Sequence, residues 1–205
     1  MKIAALIMAA GASRRFGSCK LLADLSDSPN ASAEPLVQRT IRMANALPVE
    51  QVVMISGQWH QPLEEARAAG QIGPVELSCN PDWQEGLGAS IRYGISRLLT
   101  EMPDLDGVLI LLADQIAVQP DELTSMITLL EQHPVVCARY QDRCGVPALF
   151  RREYFDQLLA LEGDKGARHL LNNPSTPVKS LLMPSAAIDI DTSEMLEDWC
   201  VAQKH

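Results

Sequence analysis

The sequence is poor in aromatic residues and in positive charge, and no long apolar run occurs in it. Aromatics are 4% of its 205 residues although apolar residues as a group are 47%. A core must therefore be assembled from Leu, Ile, Val, Ala and Met, the usual materials of α/β layers. A chain of this length suits one domain and can bury about 70% of the surface its unfolded form exposes, so no covalent staple is required. Cys19, Cys79, Cys137, Cys144 and Cys200 are odd in number and widely spread, with no C-x-x-C pair and no histidine spaced as a zinc partner. This usage implies a reducing, cytoplasmic compartment. The apolar stretch Ile3 to Ala10 follows a single lysine and breaks at Gly11. It is too short for a secretory h-region with its cleavage site, and far too short to span a bilayer. Lys and Arg total 17 against 26 Asp and Glu, a net charge of −9. Nucleic acid and anionic membranes need clustered positive surface, so neither is an expected partner.

Short aliphatic runs alternate with segments of helical period. Strands are expected at Ile3 to Met8, Gln51 to Ser56, Val75 to Cys79, Gly107 to Leu112 and Val135 to Tyr140. Helices are expected over Pro35 to Leu47, His60 to Ala69, Leu87 to Leu99 and Pro120 to Gln132. The run Leu109 to Leu112 lacks polar alternation, as a parallel strand covered on both faces does. Pro120, Asp121 and Glu122 fit a first helical turn, and Pro134 a stop. Beyond Tyr140 the pattern loosens. A helix is expected near Arg151 to Leu161, another opened by Gly163 to Arg168, a final strand at Ala187 to Ile190 and a last helix from Thr192 or Ser193. Ser26 to Ala33 reads as a polar loop, and there is no internal repeat. The βαβα order predicts a single α/β domain, a Rossmann-like three-layer sandwich with a mostly parallel sheet.

The scarce cations are not evenly spread. After the first strand come Ala9, Ala10, Gly11, Ala12 and Ser13, then Arg14, Arg15, Gly17 and Lys20. Small residues let backbone N–H groups approach an anion closely, while arginine adds forked donors and lysine a point charge. The loop fits neither G-x-x-x-x-G-K-[ST] nor G-x-G-x-x-G. An isolated Arg-Arg pair is ordinarily solvated surface, but the strand and small-residue run before it favour a phosphate loop. Asp114 follows the apolar run Val108 to Ala113, at the carboxyl end of a central strand, where open α/β sheets bind ligands. It suits Mg²⁺; it also suits a turn or helix cap. Asp189 and Asp191 offer two more carboxylates, with an N-cap as the other reading. Gly86, Gly88 and Ser90 lie at or near a helix N-terminus, which attracts anions. His60, His133 and His169 are scattered, and a lone histidine is more often surface or satisfied core than a base.

Met8 to Lys20 resembles the signature of nucleotidyltransferases of the molybdenum-cofactor type. Four further stretches are similar to that family's motifs in the same order: Asn80 to Ile91, Leu112 to Gln115, Gly163 to Arg168 and Asp189 to Glu194. Ala9-Ala10-Gly11 is similar to the cytidylyl branch, since the guanylyl branch usually has a second glycine at Ala10. The chain departs from the pattern at Ile116, where proline is common, at Val146, where histidine is common, and in a longer segment between Lys20 and Pro35.

The resemblance implies transfer of CMP from CTP to the phosphate of molybdopterin-type molybdenum cofactor, with a target molybdoenzyme as a further partner. It implies nucleotide contacts from Ala9 through Arg14, Lys20, Asn80, Gly86, Gly88 and Ser90. Arg15, Lys20 and Asp114 are implied in catalysis, and Mg²⁺, replaceable by Mn²⁺, on Asp114 with Asp189 and Asp191. Gly145, Pro147, Asp164, Gly166 and Arg168 are implied for the acceptor. Such a metal and cation cluster would let an acidic protein hold a polyphosphate. Two other functions share these residues: a sugar- or alditol-phosphate nucleotidyltransferase, or a GTP-dependent one, and a carrier that inserts finished cofactor without turnover.

Overall fold

The apolar runs read as strands, except Ala187 to Ile190, enter one sheet in the computed structural model, which describes residues 1–25 and 34–202. The chain runs β1 (Ile3–Ala9), α1 (Leu36–Asn45), β2 (Gln51–Ser56), α2 (His60–Ala68), β3 (Glu76–Cys79), α3 (Leu87–Glu101), β4 (Gly107–Leu112) and α4 (Pro120–Leu130). It continues with β5 (Val135–Tyr140), β6 (Arg143–Arg151), α5 (Phe155–Leu159), α6 (Arg168–Leu171), β7 (Val178–Leu182) and α7 (Ser193–Ala202). The strand order is β3-β2-β1-β4-β6-β5-β7. β1 pairs in parallel with β2 and β4, β2 with β3, and β5 with β7, whereas β6 runs antiparallel to both β4 and β5. The expected mostly parallel α/β sandwich is the fold observed.

Alternation of side chains along β1 makes the three layers. Ile3, Ala5, Ile7 and Ala9 face a cluster completed by α1, α2, α4 and α7, while Ala4, Leu6 and Met8 face one completed by α3, α5 and α6. Every residue of β1 is buried. Fully burying each large aliphatic stabilises by about 1.5–3 kcal/mol, so these two apolar faces are the main source of the sheet's stability.

One strand is added and two expectations are corrected. Gly145 and Pro147 obscure β6, because glycine and proline weaken a strand pattern. Here both are accommodated: Gln141 and Asp142, at φ 48° and 58°, form a two-residue hairpin turn of the kind that needs φ > 0 at both positions. The register shifts between Cys137 and Ala138, leaving Val146 and Pro147 opposite no partner, where a missing N–H does no harm. The expected strand at Ala187 to Ile190 is instead a 3₁₀ turn (Pro184–Ala187) and an irregular segment. The edge beside β5 is already taken by β7, so this segment crosses over the sheet's end and bonds it through Ile190 N–H to the Asp114 carbonyl (3.3 Å). The expected helix from Arg151 is a 3₁₀ turn (Arg152–Tyr154) followed by the short α5. The polar stretch Ser26 to Ala33 lies outside the described residues.

Candidate active site

Strands β2 and β4 flank β1 on opposite sides, so the chain's winding reverses direction at β1/β4. The loops leaving the carboxyl ends of those two strands diverge there and open a crevice, the usual ligand position in such sheets. A cavity of about 530 Å³ fills it. Ala9, Ala10, Gly11, Ala12, Ser13, Arg14, Arg15 and Lys20 line one wall, and Ala113, Asp114 and Asp191 another. Gly86, Ser90 and Asp164 line the remainder, with Trp83, Gln84 and Leu87, which the sequence reading did not single out.

Lys20 is the centre of the charged wall. It enters on a 3₁₀ turn (Lys20–Leu22) whose Leu21 is buried, and its side chain is 12% exposed. Its ammonium donates to Asp114 Oδ2 (2.6 Å), the Ile190 carbonyl (2.7 Å) and Asp191 Oδ1 (3.1 Å). Burial works to lower its pKa, but the charge of Asp114 and the hydrogen bonds to Asp114 and Asp191 outweigh it and hold the group above its usual value. Arg15 pairs with the other oxygen of Asp191. Arg14 is exposed, lines the cavity and has no ion-pair partner among the described residues. Asp189 does not line the cavity; its carboxyl is pushed up by burial first, then by repulsion from Asp114 and Asp191. Of the two carboxylates in the closing motif, both of which the sequence offered, it is Asp191 that shares Lys20 with Asp114.

Among the described residues no three His, Cys, Asp or Glu side chains are arranged to hold a metal by themselves. Two carboxylates sharing one cation still fit Mg²⁺ or Mn²⁺. Mg²⁺ is ordinarily bound through one or two carboxylates, with water and substrate phosphates completing the shell.

The second motif and the later glycine motif form one unit. Gly88 N–H donates to the Gly163 carbonyl (2.8 Å), and a Cβ on Gly86, at φ 111°, would collide with the Asp164 carboxylate. The two loops are pressed together backbone to backbone, and this contact delivers Asp164 to the cavity. Gly88 itself is behind the wall. So is Asn80, which is 1% exposed and internally engaged: its amide donates to Ser90 Oγ (3.2 Å) and accepts from Asp82 N–H (3.0 Å). Gly166 packs against Leu87, while Gly145 lies against Tyr140. Gly145, Pro147, Gly166 and Arg168 do not line the cavity. Burial raises the Tyr140 phenol, with Arg143 and Arg168 opposing and Asp189 adding to the effect, so these three groups lie within electrostatic reach of Tyr140. Gln115, 4% exposed, donates to the Val146 (3.0 Å) and Ala186 (2.7 Å) carbonyls and ties the segment after β4 to this neighbourhood.

Among known proteins, the chain is 26% identical over 204 residues to the purine catabolism protein PucB of Bacillus subtilis (strain 168), covering 97% of this chain and 95% of that one. The crystal structure of Rv0371c from Mycobacterium tuberculosis H37Rv superimposes with a TM-score of 0.78 at 26% identity, over 98% of each chain. A complex of Rv0371C with manganese superimposes with a TM-score of 0.75 at 24% identity, over 98% of this chain and 100% of that one. Residues 5–178, which hold the loop from Ala9 to Lys20, Asp114 and the docked glycine loops, match the MobA-like NTP transferase domain. By that match, over most of its length, the chain is a nucleotidyltransferase of the MobA-like NTP transferase family.

Proposed function

We propose that this enzyme transfers CMP from CTP to the phosphate of molybdopterin-type molybdenum cofactor, releasing pyrophosphate and forming the cytosine dinucleotide cofactor that a target molybdoenzyme receives. The observation that carries the reading is the convergence of Asp114 and Asp191 on Lys20 opposite a small-residue loop, in one cavity at the sheet's switch point. An oxygen of the acceptor phosphate attacks the α-phosphorus of CTP in line, and the bond from that phosphorus to the pyrophosphate oxygen breaks. The acceptor is ionised at neutral pH, so no general base is required. His60, bonded to Ser56 (2.8 Å), is outside the cavity.

Loop amides and the unpaired Arg14 take the β- and γ-phosphates, with Arg15 and Lys20 supplying charge against the departing pyrophosphate. Asp114 and Asp191 hold Mg²⁺, which when bound screens charge between phosphates and acceptor; the manganese complex of the Rv0371C relative supports a divalent ion. Ala10, Trp83, Gln84 and Ser90 form the base and ribose end, with Asn80 and Gly88 supporting it from behind. Asp164, delivered by Gly86, meets the acceptor, and Gly145, Pro147, Gly166 and Arg168 shape its approach. The test is incubation with each NTP, Mg²⁺ and molybdopterin cofactor, followed by mass analysis. A cofactor heavier by CMP is expected from CTP; transfer from GTP alone, or transfer only to sugar or alditol phosphates, overturns the assignment.

A further inference from the structure

The phosphate loop receives a hydrogen bond from outside itself, from a residue that does not line the cavity. Trp59, in the turn joining β2 to α2, donates its indole N–H to the Ala12 carbonyl (3.2 Å). The next residue, Ser13, has φ 50°, a left-handed conformation that costs a non-glycine residue free energy and persists only where surroundings enforce it. Phe16 N–H and Gly17 N–H close the turn onto the Ser13 carbonyl (3.0 and 3.1 Å). Those bonds set the loop's shape but not its place over the sheet, whereas the Trp59 bond can do the latter. Its ring is packed against the apolar cluster under β1, and its indole N–H reaches the loop.

The same turn meets the loop at a second point. A Cβ on Gly57 would lie 2.8 Å from the Ala10 carbonyl oxygen and 2.6 Å from Trp83 Cβ, so the start of the loop and the Trp83 segment both close on a bare backbone. The turn is itself anchored, since Ser56 Oγ lies 2.8 Å from His60 Nδ1 and 3.2 Å from the Ser78 carbonyl.

We propose that Trp59 is a positioning residue for the phosphate loop, fixing the Ala12–Ser13 peptide so that its N–H serves the transferred nucleotide's leaving pyrophosphate. In a trans peptide the C=O and N–H point to opposite sides. Holding the Ala12 carbonyl on Trp59 therefore turns the Ser13 N–H the other way, and that N–H has no partner among the described residues. The inference rests on the phosphate reading of the loop given above.

Trp59→Phe removes the N–H and keeps most of the ring. Titration calorimetry of the folded variant should show Mn²⁺-pyrophosphate binding about three- to tenfold weaker, the effect of one ordinary hydrogen bond, with CMP affinity and melting temperature essentially unchanged. Equal pyrophosphate affinity in both proteins, or an equal loss for CMP, overturns the proposal. If wild type binds neither Mn²⁺-CTP nor Mn²⁺-pyrophosphate, the phosphate reading falls and takes this inference with it. Wild-type binding with an unaffected variant removes this inference alone. Should the variant not fold, the Trp59 indole N–H resonance of wild type decides, identified against Trp83→Phe and Trp199→Phe. It should shift and exchange more slowly on adding Mg²⁺-pyrophosphate, and an unchanged resonance overturns the proposal.

Discussion

At the scale of single residues the site is a balance of charges held by short contacts, and removing one side exposes the other. Lys20→Ala leaves Asp114 and Asp191 without the cation they share and takes charge from the leaving group. Loss of a charge-assisted contact costs about 1.5–3 kcal/mol, so kcat/KM for CTP should fall roughly ten- to 150-fold with the circular-dichroism spectrum preserved. An unchanged kcat/KM would take Lys20 out of the chemistry. Asp114→Asn keeps the shape and one acceptor oxygen but removes the negative charge. It should bind CTP and turn over roughly a hundredfold more slowly or worse, each ~1.36 kcal/mol being a factor of ten. Turnover within a fewfold of wild type at limiting Mg²⁺ would make Asp114 a structural residue. Ala10, 9% exposed and on the cavity wall, should restrict the larger base. CTP is expected to outperform GTP in kcat/KM, and Ala10→Gly to narrow the difference; a wild-type preference for GTP contradicts the cytidylyl assignment.

At the scale of elements, helix α4 shows how local capping reaches the site. Glu122 accepts from Gln119 N–H (2.8 Å) and from Ser185 Oγ (2.8 and 2.7 Å). One carboxylate thus closes the start of α4 and ties down the 3₁₀ turn that leads to Asp191. Glu122→Ala should lower unfolding free energy by about 1 kcal/mol, read as a shifted urea midpoint at constant slope. A midpoint equal to wild type would show that the cap contributes nothing. The acidic first turn and Pro120 made this helix legible in the sequence, and so did the aliphatic runs of β1, β2 and β4. The hairpin of β5 and β6 was not, because its turn uses Gln141 and Asp142 where Asn-Gly is the ordinary signal, and because Gly145 and Pro147 interrupt the second strand. The apolar alternation at Ala187 to Ile190 misled in the opposite direction. Ile190 is buried because it passes over the sheet's end, not because it lies within the sheet.

At the scale of the whole molecule, a net charge of −9 must coexist with a polyphosphate ligand. The fold meets this by concentrating Arg14, Arg15 and Lys20 in one loop at one end of the sheet. Lys20 and Arg15 already compensate Asp114 and Asp191, so folding should not depend on the divalent ion. A chelator is expected to abolish turnover while leaving the melting temperature unchanged, and Mg²⁺ or Mn²⁺ to restore activity. A large fall in melting temperature on chelation would mean the metal is structural. No helix among the described residues is long and apolar enough to cross a membrane, in keeping with the absence of any long apolar run.

The sequence by itself determined the layered α/β architecture, because the alternation of short aliphatic runs with segments of helical period leaves few other ways to bury a core. It also made the candidate phosphate loop legible, because its small and cationic residues are contiguous from Ala9 to Lys20. Only the tertiary structure decided which distant groups join that loop. Asp191 rather than Asp189 meets Asp114, Asp164 enters the cavity on the back of Gly86, and Asn80 withdraws into the wall. The physical reason is that these pairings link segments far apart in the chain through backbone contacts and shared cations. No local periodicity or spacing encodes such contacts.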